Sequence, residues 1–168
     1  MKKIRVNLDK NLYSLDERDW QSLYSKGFGE KIGEIFCLNV YEVLFLVEKG
    51  KIEVFSKSGN ILVFKDIIKK NKVDFNIFLT FADLIGKGYN VKSGLRYGVE
   101  FRVYEKGIKV GEKHSEWLVK TFSYKTKTLM SDIASFNRVA HSTKKKFLFA
   151  VIDIENCVTY FESNWTKM

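Results

Sequence analysis

Hydrophobic and polar positions along this chain follow two rhythms, and the changes of rhythm cut it into short elements. Residues 16–27, DERDWQSLYSKG, read as a helix closed by a glycine. The next stretch, EIFCLNVYEVLFLVEKG at 34–50, is apolar and closes at Gly50, with Leu44, Phe45 and Val47 expected in a core because an apolar helical stripe faces one. Residues 51–64, KIEVFSKSGNILVF, predict a hairpin about Ser58-Gly59-Asn60. Beyond a lysine-rich run at 69–72, NIFLTFADLIGKG at 76–88 predicts a helix ending at Gly88, while 89–94, 99–105 and 115–122 read as strands. Leu129, Ile133, Phe136 and Ala140 recur at helical spacing, with Thr128 or Ser131 as N-cap. KFLFAVID and CVTYFES then predict two strands around Ile154-Glu155-Asn156. The order of elements predicts a mixed α/β (α+β) chain. A small N-terminal α/β domain would span residues 1–72, and a C-terminal domain, a mixed β-sheet flanked by helices, residues 73–168.

Composition narrows the class. At 168 residues, 45% hydrophobic and 29% charged, the chain has the balance of a folded globular protein. No apolar run approaches the roughly 18 residues a membrane span needs, and MKKIRVNLDKN lacks the apolar core of a signal peptide, so a cytoplasmic location is expected. Cys37 and Cys157 stand far apart without a CxxC spacing, and neither has a histidine beside it. That predicts packed thiols with no disulfide framework and no zinc site; no cofactor is expected. The net charge of +9 suits a polyanionic partner, because neutralising phosphates releases condensed counterions.

Candidate chemistry is sparse. His114 and His141 are the two histidines, hence the two imidazoles able to move a proton near neutral pH. His141 falls near the end of the amphipathic helix, where a helix-terminus role accounts for it. His114 follows the polar loop EKGIKVGEK and precedes a strand, a place where scaffolds display functional side chains and also where ordinary exposed loop residues sit. Tyr104 ends the strand VEFRVY, where a tyrosine is usually half-buried packing with its hydroxyl at the rim. Lys145 lies in the run Lys144-Lys145-Lys146, and a charge run before a strand is usually a solvated face.

Taken together, GYNVKSGLRYGVEFRVYEKG, the histidine of KHSEWLVK and RVAHSTKKKFLFAVID resemble the archaeal tRNA-splicing endonuclease family, and LNVYEVLFLVEKGKIEV resembles its N-terminal domain more faintly. The resemblance implies cleavage of precursor tRNA at a bulge-helix-bulge, without metal, by attack of a ribose 2′-hydroxyl on the adjacent phosphate. The products would carry a 2′,3′-cyclic phosphate and a 5′-hydroxyl. Tyr104 would be the general base, His114 the general acid and Lys145 the cation facing the phosphorane. Arg138 matches the family's arginine that stacks on a bulged base. Lys144 stands where the family often has arginine; with Lys146, Arg96, Lys92 and Lys113 it is a candidate phosphate contact. Two bulges require two active sites. The resemblance accordingly implies a homotetramer, or a heterotetramer with a structural subunit, in which the turn Asp153-Ile154-Glu155-Asn156 docks on a neighbouring subunit and CVTYFES pairs across a two-fold axis.

One step needs help. A phenol ionises near pH 10, so a tyrosine base at neutral pH requires a nearby cation, for which Lys145, Lys144 and Arg102 are available; with none close, Tyr104 would orient the 2′-hydroxyl more than deprotonate it. A non-catalytic RNA-binding or assembly subunit is the alternative. A metal-dependent DNA nuclease would want an Asp…Glu-x-Lys arrangement, and no convincing one is present.

Overall fold

The structure is a computed structural model and describes residues 3–108, 113–166 and 168. The chain forms two compact units, residues 1–74 and 75–168; the expected boundary lay between Lys72 and Val73. The architecture is mixed α/β, with two mixed sheets.

The first unit has two strands ahead of the first predicted helix. Strand β1 (Ile4–Asp9) turns through Lys10 into β2 (Leu12–Ser14), and helix α1 (Glu17–Tyr24) follows. Strands β3 (Glu30–Ile32) and β4 (Ile35–Leu38) lead into α2 (Val40–Glu48). Asn39 makes that transition sharp: its side chain accepts the N–H groups of Tyr41 and Glu42 at 3.0 Å, while the Glu42 carboxylate accepts the Asn39 N–H at 3.0 Å. This reciprocal cap satisfies donors that the first helical turn cannot. The hairpin β5 (Ile52–Phe55) and β6 (Ile61–Leu62) turns at Gly59 as expected, and α3 (Phe64–Asn71) follows. The sheet order is β3-β4-β2-β1-β5-β6, with β1 and β5 parallel. Val6, Tyr13, Val43, Leu44, Val54 and Ile67 fill its core.

In the second unit, α4 (Phe75–Gly86) precedes β7 (Asn90–Ser93), a 3₁₀ turn (Leu95–Tyr97) and β8 (Phe101–Tyr104). Then come β9 (Trp117–Ser123), α5 (Met130–Ser142), β10 (Lys146–Ile152) and β11 (Val158–Ser163). The sheet order is β11-β10-β9-β8-β7; β9 and β10 are parallel, joined by the α5 crossover, and the other pairs are antiparallel. Helix α5 lays Phe136, Val139 and Ala140 on Leu118, Phe147 and Phe149 of one sheet face. Helix α4 covers the other, with Phe81 against Phe101 at 5.7 Å between ring centres and Thr121 donating to Thr80 at 3.1 Å.

Three expectations are corrected. The N-cap of α5 is Leu129, not Thr128 or Ser131, and it makes no side-chain cap bond. Helix α4 ends at Gly86, two residues before the left-handed Gly88 that closes the turn. Cys37 is a packed thiol, but Cys157 is exposed, because it lies in the turn before the edge strand β11.

Candidate active site

Register places the three expected chemical residues at one end of the second sheet. Val103 and Lys146 both stand opposite Trp117. The residues just beyond the paired strands, Tyr104, Glu116 and Lys145, therefore form the next row across β8, β9 and β10. Two backbone bonds carry that row: Glu116 N–H donates to Val103 O at 2.9 Å and Lys146 N–H to Glu116 O at 2.9 Å. His114 lies two positions before Glu116, exposed at the same end. Of the loop expected to present it, residues 109–112 lie outside the described residues.

Lys145 is delivered by the way α5 stops. Lys144 takes a left-handed backbone, φ 55°, and donates its N–H to His141 O at 3.0 Å, while the Lys145 N–H reaches back to Ala140 O at 2.8 Å. These bonds satisfy the helix's last carbonyls and turn the chain into β10. The half-buried Lys145 side chain then donates from Nζ to Ser115 O at 3.2 Å, with the Tyr97 ring centre 5.9 Å away. Neither contact was legible in the sequence. Ser115 is only 5% exposed, and its carbonyl is a tether that residue type does not advertise.

Tyr104 is 4% exposed, more enclosed than a strand tyrosine with its hydroxyl at the rim. The Arg102 guanidinium carbon lies 5.9 Å from its ring centre. Among the other cations, Arg96 is exposed and donates from Nη2 to the Tyr97 hydroxyl at 2.6 Å, which links it through Tyr97 to Lys145. Gly94 makes that turn possible. A Cβ there would come within 2.8 Å of the Phe101 carbonyl carbon. Lys146 pairs with Glu116 at 3.1 Å, and the hydrogen bond to that carboxylate holds its ammonium above the ordinary lysine range. Arg138 and Lys144 are exposed, on α5 and at its end; Lys113 pairs with Glu105 at 4.0 Å. His141 sits in the last turn of α5 with its ring edge-on to Trp165, 4.5 Å between centres.

The turn at Asp153-Glu155-Asn156 is not part of this cluster. It lies at the far end of β10, about 26 Å of strand from Lys145 at about 3.3 Å per residue. Asp153 Oδ1 accepts the N–H groups of Glu155 at 2.8 Å and Cys157 at 2.9 Å, and Asn156 supplies the left-handed residue, φ 63°. Among the described residues no group of three or more His, Cys, Asp or Glu side chains is gathered as a metal would require.

Comparison with known proteins decides the family. Residues 75–160 match the tRNA intron endonuclease catalytic C-terminal domain, and residues 5–68 match the N-terminal domain of the same enzymes. The chain belongs to the tRNA intron endonuclease family. It is 36% identical over 162 residues to a tRNA-splicing endonuclease of Thermococcus kodakarensis, covering 93% of this chain and 94% of that protein. It is 37% identical over 161 residues to one from Pyrococcus furiosus, covering 93% and 92%. A Methanococcus vannielii relative with the same name is 32% identical over 164 residues, covering 95% and 92%. The family match thus spans both compact units, and the row at the sheet end falls inside its catalytic domain. Among the described residues no helix is long and apolar enough to cross a membrane.

Proposed function

We propose that this chain is a catalytic tRNA-splicing endonuclease that cuts precursor tRNA at bulge-helix-bulge junctions without metal. Tyr104 takes the proton of the ribose 2′-hydroxyl, whose oxygen attacks the adjacent phosphorus. Lys145 faces the negative charge that gathers on the phosphorane. His114, as imidazolium, gives its proton to the departing 5′-oxygen. One strand ends in a 2′,3′-cyclic phosphate and the other in a 5′-hydroxyl. Proton transfers of this kind contribute roughly 10²–10⁴-fold each.

The observation that carries this reading is the convergence of Tyr104 and Lys145, from separate strands, on the end of the sheet that also displays His114. The tether of Lys145 to Ser115 O supports it, because a cation fixed before reaction needs no rearrangement as charge develops. Arg138 stacks on a bulged base, and Lys144, Lys146 and Arg96 contact phosphates, consistent with RNA recognition through shape and splayed bases. Paired sites require assembly as a homotetramer, or as a heterotetramer with a structural subunit. The edge strand β11, with Phe161 56% exposed, and the acidic turn at Asp153 and Glu155 are its contact surfaces.

The test is cleavage of an end-labelled bulge-helix-bulge RNA by this chain alone in EDTA, beside His114→Ala, with product ends identified. Cyclic-phosphate ends from the wild type and none from the variant are expected. Cleavage that requires added Mg²⁺ would refute the mechanism.

A further inference from the structure

The 3₁₀ turn between β7 and β8 brings one aromatic ring to two cations of the candidate site. Gly94 opens the turn with no room for a side chain, since a Cβ there would lie 2.7 Å from Val99 Cγ2. Tyr97 N–H donates to Gly94 O at 2.8 Å and Gly98 N–H to Leu95 O at 3.0 Å, with Gly98 in the left-handed region at φ 74°. The half-buried Tyr97 ring packs against Val99, Leu118, Ala140 and Phe147, which roots it in the core between the sheet and α5. Its hydroxyl accepts from Arg96 Nη2 at 2.6 Å, and the Arg96 guanidinium carbon lies 4.8 Å from the ring centre. The Lys145 Nζ lies 5.9 Å from the same centre.

Packing explains an apolar residue at position 97, but not a hydroxyl that reaches out to an exposed arginine. Nor does it explain the company of Lys145. An ammonium on a flexible four-carbon stem swings widely unless it is held at more than one point. Ser115 O supplies one hold, at 3.2 Å. The Tyr97 ring supplies another, because a cation within about 6 Å of a ring centre is drawn to it. Ser115 precedes β9 and Tyr97 precedes β8, so the two holds come from separate segments and fix direction as well as distance. Neither a carbonyl nor a ring carries a formal charge. Held by these two groups, the lysine is fixed in place without a carboxylate to offset the charge it offers a phosphorane.

We propose that Tyr97 is a positioning residue with two separable tasks: its ring holds Lys145 where the phosphorane charge develops, and its hydroxyl holds Arg96 toward an RNA phosphate. The inference rests on the proposed roles of Lys145 and Arg96. The ring acts on the rate, because a cation aimed at the phosphorane gains most when that charge appears. The hydroxyl acts on affinity, because a phosphate contact away from the reacting bond is the same before and during reaction.

The experiment is single-turnover cleavage of a bulge-helix-bulge RNA over a range of enzyme concentrations, with thermal unfolding of each protein. The proteins are wild type, Tyr97→Phe, Tyr97→Leu, Arg96→Gln, Lys145→Ala and the double variant Tyr97→Leu/Lys145→Ala. Tyr97→Phe keeps the ring, so its limiting rate is expected within about twofold of wild type, with the half-saturating concentration raised about threefold, as for Arg96→Gln. Tyr97→Leu removes the ring and is expected to lower the limiting rate about fivefold. With Lys145 already alanine, the same change is expected to cost less than about twofold, since the two residues act as one unit. A folded Tyr97→Leu with the wild-type limiting rate overturns the ring's task. So does a loss of the same size that persists without Lys145, which would belong to the fold. An unchanged half-saturating concentration in Tyr97→Phe overturns the hydroxyl's task. Should Tyr97→Leu fail to fold, Tyr97→Met carries the same test. Lys145→Ala separates the two readings. The wild-type rate there overturns the catalytic role of the lysine itself, whereas a slow Lys145→Ala beside an unchanged Tyr97→Leu overturns only the positioning role.

Discussion

Replacing Lys145 by alanine isolates the electrostatic part of the proposed mechanism. Its ammonium carries three N–H donors, one committed to Ser115 O at 3.2 Å, which leaves two for the phosphorane oxygens. A unit charge pair at about 4 Å is worth about 4 kcal/mol at the effective dielectric near a protein surface. Removing one preorganised donor from an oxyanion site costs about 2.7–4 kcal/mol. The half-buried position of Lys145 sets the expectation at the lower end, a fall of about 10²-fold in single-turnover rate. Lys145→Arg keeps the charge, but its planar fork cannot copy the tether to Ser115, and it should recover only about a tenth of the wild-type rate. The assay is cleavage of a labelled bulge-helix-bulge RNA at saturating enzyme, with thermal unfolding run alongside. A rate for Lys145→Ala within about threefold of wild type would refute the reasoning. So would a loss that vanishes at saturation, since that signature belongs to ground-state binding.

Other expectations are independent of that residue. Lys144 occupies a left-handed backbone that costs a side-chain-bearing residue about 1 kcal/mol, so Lys144→Gly should raise stability in urea unfolding by up to that amount; no gain would mean its side chain repays the strain locally. Tyr160 donates to Asp83 at 2.8 Å, and burial, then that carboxylate, pushes its ionisation far above the ordinary phenol range. Because the fold favours the neutral phenol, the stabilisation is intact below about pH 10 and lost as pH rises beyond it; Tyr160→Phe should flatten the alkaline slope in unfolding measured from pH 8 to 11, leaving the part that the buried Tyr13 and Cys37 contribute. Reversing charge at Asp153 and Glu155 together should shift the mass seen by light scattering from tetramer toward smaller species. An unchanged tetramer would remove this turn from the interface.

Much of the fold was legible because periodicity reports burial. The strands of the second unit and its helices follow apolar patterns that a two-faced sheet demands, and the α5 stripe lands on Leu118 and Phe147 as its spacing requires. The opening hairpin was not legible. Leu8 and Tyr13 are core residues, but Asp9, Lys10 and Asn11 between them resemble a solvated terminus, and only pairing of β1 with β5, more than forty residues away, makes the segment a central strand. The same limit hid α3. Its one fully enclosed apolar residue, Ile67, sits among lysines that read as a linker until helix α2 packs against it.

The candidate site was legible as residue types and illegible as a device. A tyrosine, a histidine and a lysine with suitable spacing can be read in one dimension, yet what could make them act is register, which no local pattern encodes. Because Trp117 pairs with Val103 on one side and Lys146 on the other, Tyr104 and Lys145 come to the same row, one on each side of Glu116. A slip of one residue in either pair would send Tyr104 or Lys145 to the opposite face. The supporting contacts are subtler still: a buried serine carbonyl fixes the lysine, and a left-handed lysine stops the helix at the right residue. Each is costly or neutral for folding taken alone. A left-handed residue placed so that the next side chain reaches the end of one sheet row is what a site under chemical constraint would leave behind.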